Sequence, residues 1–149
     1  MTEASTGTGS PSHPALPAGP VWRAGLLAAL AATAVNVAAW LVLQPLLDAD
    51  LQIPRSPGGT ELTSLSLAPV IIVTLLSGIL GAVALWLLTR RGPSGVRPWT
   101  LLAVAYAVLS GLAAFGLDVG LGRQLGLFLF HLLAAATMVL VARRQLPAR

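Results

Sequence analysis

Residues 24–47 read AGLLAALAATAVNVAAWLVLQPLL, a run of 24 residues without a charged side chain. At about 1.5 Å of rise per helical residue, this run is long enough to cross the roughly 30 Å hydrocarbon core of a bilayer. Further uncharged apolar runs follow at residues 62–89, 98–117 and 124–142. These runs are continuous and rich in Leu and Ala, whereas the strands of a membrane β-barrel would alternate over about 10 residues. The sequence therefore predicts an all-α, polytopic membrane protein.

The composition supports the same class. Of the 149 residues, 56% are hydrophobic and 9% are charged, whereas soluble domains carry about 25% charged residues. The length is that of one domain. The cations are nine Arg and no Lys, placed singly or in pairs beside the apolar runs. This pattern does not form a basic patch, so we expect membrane lipids as partners and no nucleic acid.

The runs and their connections divide the chain into three parts. Residues 1–20 hold Ser, Thr, Gly, Ala and Pro with Glu3 as their one charge, which predicts a disordered N-terminal tail. Residues 145–149 are predicted to be a short cytoplasmic tail. The domain between them, residues 21–144, is predicted to be an antiparallel bundle of four transmembrane helices, with spans at about 21–47, 67–89, 98–117 and 122–143.

The connections explain where the spans end. Four helix breakers in the first connection prevent the helix of the first span from continuing: Pro54, Pro57, Gly58 and Gly59. Ser66 is the predicted N-cap of the second span. Pro69 then falls in the first turn, where a proline does not interrupt the helix. Because the later connections are short, consecutive helices are expected to be antiparallel neighbours.

Arginine placement predicts the orientation in the membrane. With a cytoplasmic N-terminus, seven of the nine arginines fall on the cytoplasmic side, and only Arg55 and Arg123 fall on the other. Cytoplasmic loops are enriched in Arg and Lys. We therefore expect a multi-pass protein of a bacterial plasma membrane with both termini in the cytoplasm; an Arg-rich chain without lysine is typical of a GC-rich bacterial genome.

Neutral polar residues lie near one depth in the predicted spans. No Asp, Glu, Lys or Arg lies inside them, which removes the essential residue of proton-coupled exporters and of intramembrane aspartyl enzymes. No catalytic, metal or cofactor site is predicted, and the protein is not expected to be an enzyme. Polar groups in hydrocarbon seek partners, so we expect these side chains to point into the bundle. The candidate polar cluster consists of Asn36, Ser77, Tyr106, Ser110 and His131.

Two members of this cluster carry further predictions. Asn36 belongs to a stripe on the first helix, completed by Thr33, Trp40 and Gln44, whose face should turn inward. His131 is expected to face the interior as a neutral ring, because ionisation in hydrocarbon is costly. Its partner is expected among the other four cluster residues. A functional role for His131 and a purely structural one remain open.

Small residues and tryptophans predict how the helices pack and where they meet the membrane surface. The pairs include Gly78 with Ala82, Ala107 with Gly111, and Gly122 with Gly126, spacings that permit close backbone contact within the chain, with a second copy or with another membrane protein. A last group of residues is expected to anchor the cytoplasmic boundary of the membrane: Trp22, Trp86 and Trp99.

Several short motifs resemble a known group of proteins. Residues 22–25 read WRAG and open the helix that contains Asn36, a Gly-rich second helix ends in paired arginines, and residues 130–136 read FHLLAAA ahead of another arginine pair. Together they resemble an uncharacterised family of actinobacterial four-span membrane proteins. That resemblance implies the four-helix fold over about residues 21–144 and no specific activity.

Two functions fit these patterns. The first is a structural or interaction protein whose polar layer specifies helix packing. The second is a small transporter or a lipid- or quinone-binding protein, with a polar site around Asn36, Tyr106 and His131. A cavity that reaches His131 would favour the second function, whereas tight packing around a satisfied imidazole would favour the first.

Overall fold

The computed structural model describes residues 16–56, 59–90 and 92–146. Four α-helices account for most of them: α1 (Ala18–Leu41), α2 (Leu67–Thr89), α3 (Val96–Leu112) and α4 (Leu121–Gln145). With the short helical turns that extend α1 and α3, all four are long and apolar enough to cross a membrane. The predicted fold class, an all-α polytopic membrane protein, is confirmed.

The helix ends differ from the predicted spans by a few residues. α1 begins at Ala18, so residues 18–20 are helical although they fall in the predicted tail. Pro20 is compatible with this start, because the first N–H groups of a helix have no intrahelical acceptor. Residues 1–15 of that tail, and residues 147–149 at the other end, lie outside the described residues. α3 is preceded by a 3₁₀ turn, Pro93–Gly95, and followed by another, Ala113–Gly116.

Pro45 explains a change of helix type at the end of α1. Residues Val42–Leu46 form a π-helical turn with Pro45 inside it. Proline has no N–H to donate and its ring crowds the carbonyl one turn earlier, so the backbone widens. The Leu47 N–H donates to the Val42 carbonyl at 3.0 Å, five residues back. The wide turn carries Gln44 toward the connection that follows.

That connection folds into a small cap over one end of the bundle. Strands β1 (Gln52–Pro54) and β2 (Leu62–Ser64) pair antiparallel, with Ile53 opposite Thr63. Leu51, 1% exposed, inserts between the helix ends beside Gly126, whose missing side chain leaves the space. We call this the hairpin end. The opposite end, which holds Arg23, Arg90, Arg97, Arg143 and Arg144, is the arginine end.

Polar contacts attach the cap to α1 and α4. The Gln44 side chain accepts from the Leu51 N–H at 2.6 Å and donates to the Leu65 carbonyl at 3.2 Å. Asp50 forms an ion pair with Arg123 at 2.7 Å, with both side chains about two-fifths exposed. An exposed pair of this kind contributes about 0–1 kcal/mol. The cap is therefore held mainly by the buried Leu51 and by the hydrogen bonds of the Gln44 side chain, not by the ion pair.

α1 and α2 form the closest helix contact. A Cβ added to Gly25 would lie 2.5 Å from the Ala82 Cβ, and one added to Gly78 would lie 2.5 Å from the Ala29 Cβ. Two glycines therefore face two alanines across the interface, as the Gly78 and Ala82 spacing predicts for a tight contact. α1 also packs on α4, and α4 on α3, whereas α2 contacts α3 far less.

Not every predicted small-residue pair is used in this way. Gly111 of α3 lies against Phe128 of α4, and Gly126 lies against Leu51 of the cap. Both contacts are within the chain. Gly122 has nothing within 4 Å of the position that a Cβ would take. The spacing between Gly122 and Gly126 therefore does not mark a helix contact inside the chain.

Candidate functional site

A cavity of about 500 Å³ lies between α2 and α3. We call it the α2–α3 cavity. Its floor is formed by α4 through residues such as Phe130 and His131, and α1 contributes Asn36. The volume is within the range of about 300–1,000 Å³ that is typical of small-molecule sites. α2 and α3 therefore contact each other little because the α2–α3 cavity separates them.

The hairpin end of the cavity is closed by the cap. Ile53 of β1 and Leu65, the residue after β2, both line it. Leu65 also belongs to a buried cluster with Leu51, Leu127 and Phe130, which fixes the cap to the floor of the cavity. The Trp40 indole donates to the Leu65 carbonyl at 2.7 Å. Trp40 of α1 and Gln44 of the π turn thus reach the cap, which confirms the predicted inward face for these two residues of the stripe.

The arginine end of the cavity is closed by Trp99. Its side chain is 1% exposed and donates from Nε1 to the Gly81 carbonyl at 2.8 Å. Beyond it α2 and α3 meet closely, because a Cβ on Gly95 would overlap with the Leu88 carbonyl. The expectation that Trp99 anchors the membrane boundary is therefore wrong. The hydrogen bond to α2 satisfies its N–H inside the bundle, where a boundary tryptophan would use the headgroup region.

Trp22 and Trp86 differ from Trp99. Their rings lie 6.0 Å apart at the arginine end, and the Arg90 guanidinium lies 4.7 Å from the centre of the Trp86 ring. Neither residue lines the cavity. This stacked group is the arrangement expected of aromatic and cationic residues near a membrane surface.

The long side of the cavity opens laterally. Val73 and Leu80 of α2 face it from one side, and Leu102 and Tyr106 of α3 from the other. Each of these four side chains is more than half exposed. They belong to the central parts of two spans, where the surroundings of the protein are lipid chains. The open side therefore faces the bilayer.

Four of the five predicted cluster residues line this cavity: Asn36, Ser77, Tyr106 and His131. Each lies ten residues from the hairpin end of its span, counted from Leu46, Leu67, Gly116 and Leu121 respectively. Ten residues correspond to about 15 Å along a helix. The four side chains therefore lie in the central parts of their spans.

Asn36 is the most buried of them, at 3% exposure. Its Nδ2 donates to the Thr74 hydroxyl at 3.0 Å, which joins α1 to α2. Its Oδ1 is buried and has no hydrogen-bond partner among the described residues. A buried acceptor without a partner is costly, of order 1–3 kcal/mol. The residue that carries this atom lines the cavity.

His131 finds its partner on its own helix. Its Nδ1 lies 3.0 Å from the Leu127 carbonyl oxygen, one turn earlier. The expectation of a partner among Asn36, Ser77, Tyr106 or Ser110 is therefore wrong. Helical side chains lean toward the N-terminus, which brings the ring to that carbonyl before it can reach a neighbouring helix. The residue still faces the interior, since it lines the cavity and its Cβ lies close to Gly111 of α3.

The remaining cluster residues have different surroundings. Ser110 donates to the Tyr106 carbonyl at 2.6 Å and does not line the cavity. Tyr106 is 59% exposed at the open side, and Ser77 is half-buried on the cavity wall. Four of the cluster residues thus line the cavity without bonding one another, and the hydrogen bond from Asn36 to Thr74 joins one of them to another helix.

Two residues of the site are not in the predicted polar cluster. Thr74 is the partner of Asn36. Its position three residues before Ser77 places both on one helix face, a signal that was present in the sequence. Trp99 had no such signal, because its burial depends on the angle at which α3 leaves the short connection. Among the described residues there is no group of three His, Cys, Asp or Glu side chains placed to hold a metal ion.

Comparison with known proteins identifies a family without an assigned activity. The model of the family of unknown function DUF6069 matches residues 16–148, which cover all four helices. Searches of curated proteins and of solved structures found no significant match. A family match over this much of the chain agrees with the resemblance to an uncharacterised family. The chain belongs to the family of unknown function DUF6069.

Proposed function

We propose that this protein binds one amphiphilic molecule that enters the α2–α3 cavity from the bilayer. The observation that carries the proposal is a cavity open toward lipid with a buried acceptor, Asn36 Oδ1, that has no partner among the described residues. Lipids and quinones are the ligand classes that reach such an opening without leaving the membrane. The proposal assigns binding and no chemical conversion.

The competing function is a structural or interaction bundle whose polar layer specifies helix packing. Polar residues with that role should bond across helices. Only Asn36 with Thr74 does so at this depth in the described chain, whereas His131 and Ser110 bond carbonyls of their own helices. The polar layer therefore supports a site around the cavity better than it supports packing specificity.

Native mass spectrometry of the protein extracted with its own lipids tests the proposal. We expect one retained ligand mass per chain. Ala135→Phe, which adds a ring to the cavity wall, should lose this mass, whereas Ala136→Phe should keep it because Ala136 is exposed and outside the lining. Ser77→Leu is a second filling variant in case Ala135→Phe does not fold. Equal retention by the wild type and all folded variants would refute the cavity as the site. A doubled protein mass that excludes the ligand would favour the interaction function.

We further propose that both termini lie in the cytoplasm of a bacterial cell, of actinobacterial type by the resemblance of the motifs. Five of the described arginines lie at the arginine end, and two, Arg55 and Arg123, at the hairpin end. The enrichment of cytoplasmic loops in arginine supports this orientation.

Single cysteines test the orientation without background, because the chain has none. Ser94 lies at the arginine end and Thr60 at the hairpin end, and both are exposed. In intact cells, Thr60→Cys should react with an impermeant thiol reagent and Ser94→Cys should react only after permeabilisation. The reverse pattern would overturn the orientation and leave the ligand proposal unaffected.

A further inference from the structure

The hydrogen-bonding groups around the α2–α3 cavity indicate what kind of head the bound molecule has. His131 supplies the first constraint. The Leu127 carbonyl can only accept a hydrogen bond, so the Nδ1 atom 3.0 Å away carries a proton. In a neutral imidazole the other nitrogen, Nε2, then holds a bare lone pair. Nε2 has no partner among the described residues, so it is an unused acceptor on the cavity floor.

Asn36 supplies the second constraint. One N–H of its Nδ2 donates to the Thr74 hydroxyl, and its Oδ1 is the buried atom without a partner. An amide oxygen accepts hydrogen bonds and does not donate them. Asn36 Oδ1 and His131 Nε2 therefore belong to side chains that line one cavity, and both atoms require a hydrogen-bond donor.

The rest of the lining excludes charged heads. The described side chains around the cavity include no Asp, Glu, Lys or Arg, and most are aliphatic or aromatic. A phosphate or ammonium group at this depth would be buried without a counter-charge, which is strongly unfavourable. A head made only of carbonyl or ether oxygens would leave both acceptors unsatisfied. A hydroxyl satisfies an acceptor and carries no charge.

We propose that the cavity selects a neutral amphiphile whose head is a hydroxyl group, with its O–H directed at Asn36 Oδ1 or His131 Nε2. A long-chain alcohol has one such donor and a quinol has two, and both share this chemistry. The apolar chain would lie along the open side, between Leu80 of α2 and Leu102 of α3. This inference rests on the proposed function and specifies its ligand class.

A matched pair of probes separates the donor from the chain. Hexadecan-1-ol and its methyl ether have the same hydrocarbon chain, and only the alcohol donates a hydrogen bond. We expect the delipidated protein to retain the alcohol in native mass spectra at about one tenth of the concentration that the ether requires. A tenfold difference is typical of the cost of leaving a buried polar group unpaired. A quinol compared with its quinone should show the same preference, and a quinol bound more tightly than the alcohol would identify the two-donor source.

Variants of the two acceptors locate the effect. His131→Phe should reduce the preference for the alcohol while the ether still binds. Asn36→Leu combined with Thr74→Val removes both partners of one hydrogen bond and should act in the same direction. Ser110→Ala is the matched control, since Ser110 is a polar residue of α3 outside the cavity lining. Its preference should equal that of the wild type.

The outcomes distinguish the two proposals. Equal binding of alcohol and ether, both abolished by Ala135→Phe, would overturn the hydroxyl selection and keep the cavity as a binding site. Retention of an endogenous mass with no binding of either probe would also overturn it. Probe binding that persists unchanged in Ala135→Phe would overturn both proposals, because the molecule would then be bound elsewhere on the bundle.

Discussion

The α1–α2 and α2–α3 pairs are both antiparallel and adjacent in the chain, but they pack differently. Across the first, Gly25 and Gly78 each face an alanine, and the backbones approach closely. Across the second, the exposed side chains Leu80 and Leu102 flank a cavity. The longer connection joins the closely packed pair, and the shorter one joins the separated pair. Connection length therefore does not determine how closely two helices pack; the residues that face each other do.

Of the two helix pairs compared, the larger effect is expected at α1–α2, where the helices are closest. Gly78→Ala places a Cβ 2.5 Å from the Ala29 Cβ and close to the Ala29 backbone, so α1 and α2 must separate. We expect a loss of about 1–3 kcal/mol in the free energy of unfolding, measured by SDS titration in mixed micelles. Gly122→Ala is the control, since its position is open, and its stability should be unchanged or slightly higher. Equal losses in both would show that the α1–α2 contact accommodates the added methyl group.

A smaller effect is expected from the hydrogen bond that joins these two helices. A double-mutant cycle of Asn36→Leu and Thr74→Val should give a coupling energy of about 0.6–1.7 kcal/mol, because the two side chains bond directly. The same cycle with Asn36→Leu and His131→Leu should be additive within about 0.5 kcal/mol, since His131 bonds its own helix. Coupling in the second cycle but not in the first would mean that the imidazole has moved toward α1.

The smallest effect is expected at the open side of the cavity. Leu80 is 68% exposed, and lipid chains surround it as well as another leucine would. Leu80→Ala should change the free energy of unfolding by less than about 0.5 kcal/mol in the same SDS titration. Leu85→Ala, on the same helix but fully buried, should cost about 2–5 kcal/mol. A comparable cost at Leu80 would indicate that α3 closes over the cavity.

The sequence predicts which residues belong to the candidate site better than it predicts their hydrogen-bond partners. Residue counts place Asn36, Ser77, Tyr106 and His131 in the central parts of their spans, and these four of the five predicted residues do line one cavity. The hydrogen bonds do not follow from counting. The choice between a carbonyl on the same helix and a side chain on the next one depends on ring orientation and on the spacing between helices.

The cap shows the same limit at a larger scale. Prolines and glycines in the first connection indicate that a helix cannot continue there. Ser66 is the N-cap of α2 as predicted, but its side chain makes no capping hydrogen bond, because position alone does not fix a hydroxyl's direction. The hairpin in that connection depends on Leu51 finding space beside Gly126, a residue 75 positions later. Pattern reasoning within one segment has no access to such a contact.

The sequence by itself determined the class, the four helices and the inward stripe of α1, because hydrophobicity, helical period and helix breakers act between residues close in the chain. The tertiary structure alone decided that α2 and α3 enclose a cavity, that Trp99 closes one end and the cap the other, and that Asn36 Oδ1 is left without a partner among the described residues. These features depend on how helix surfaces fit together. That fit is a property of side chains distant in sequence, which no single segment contains.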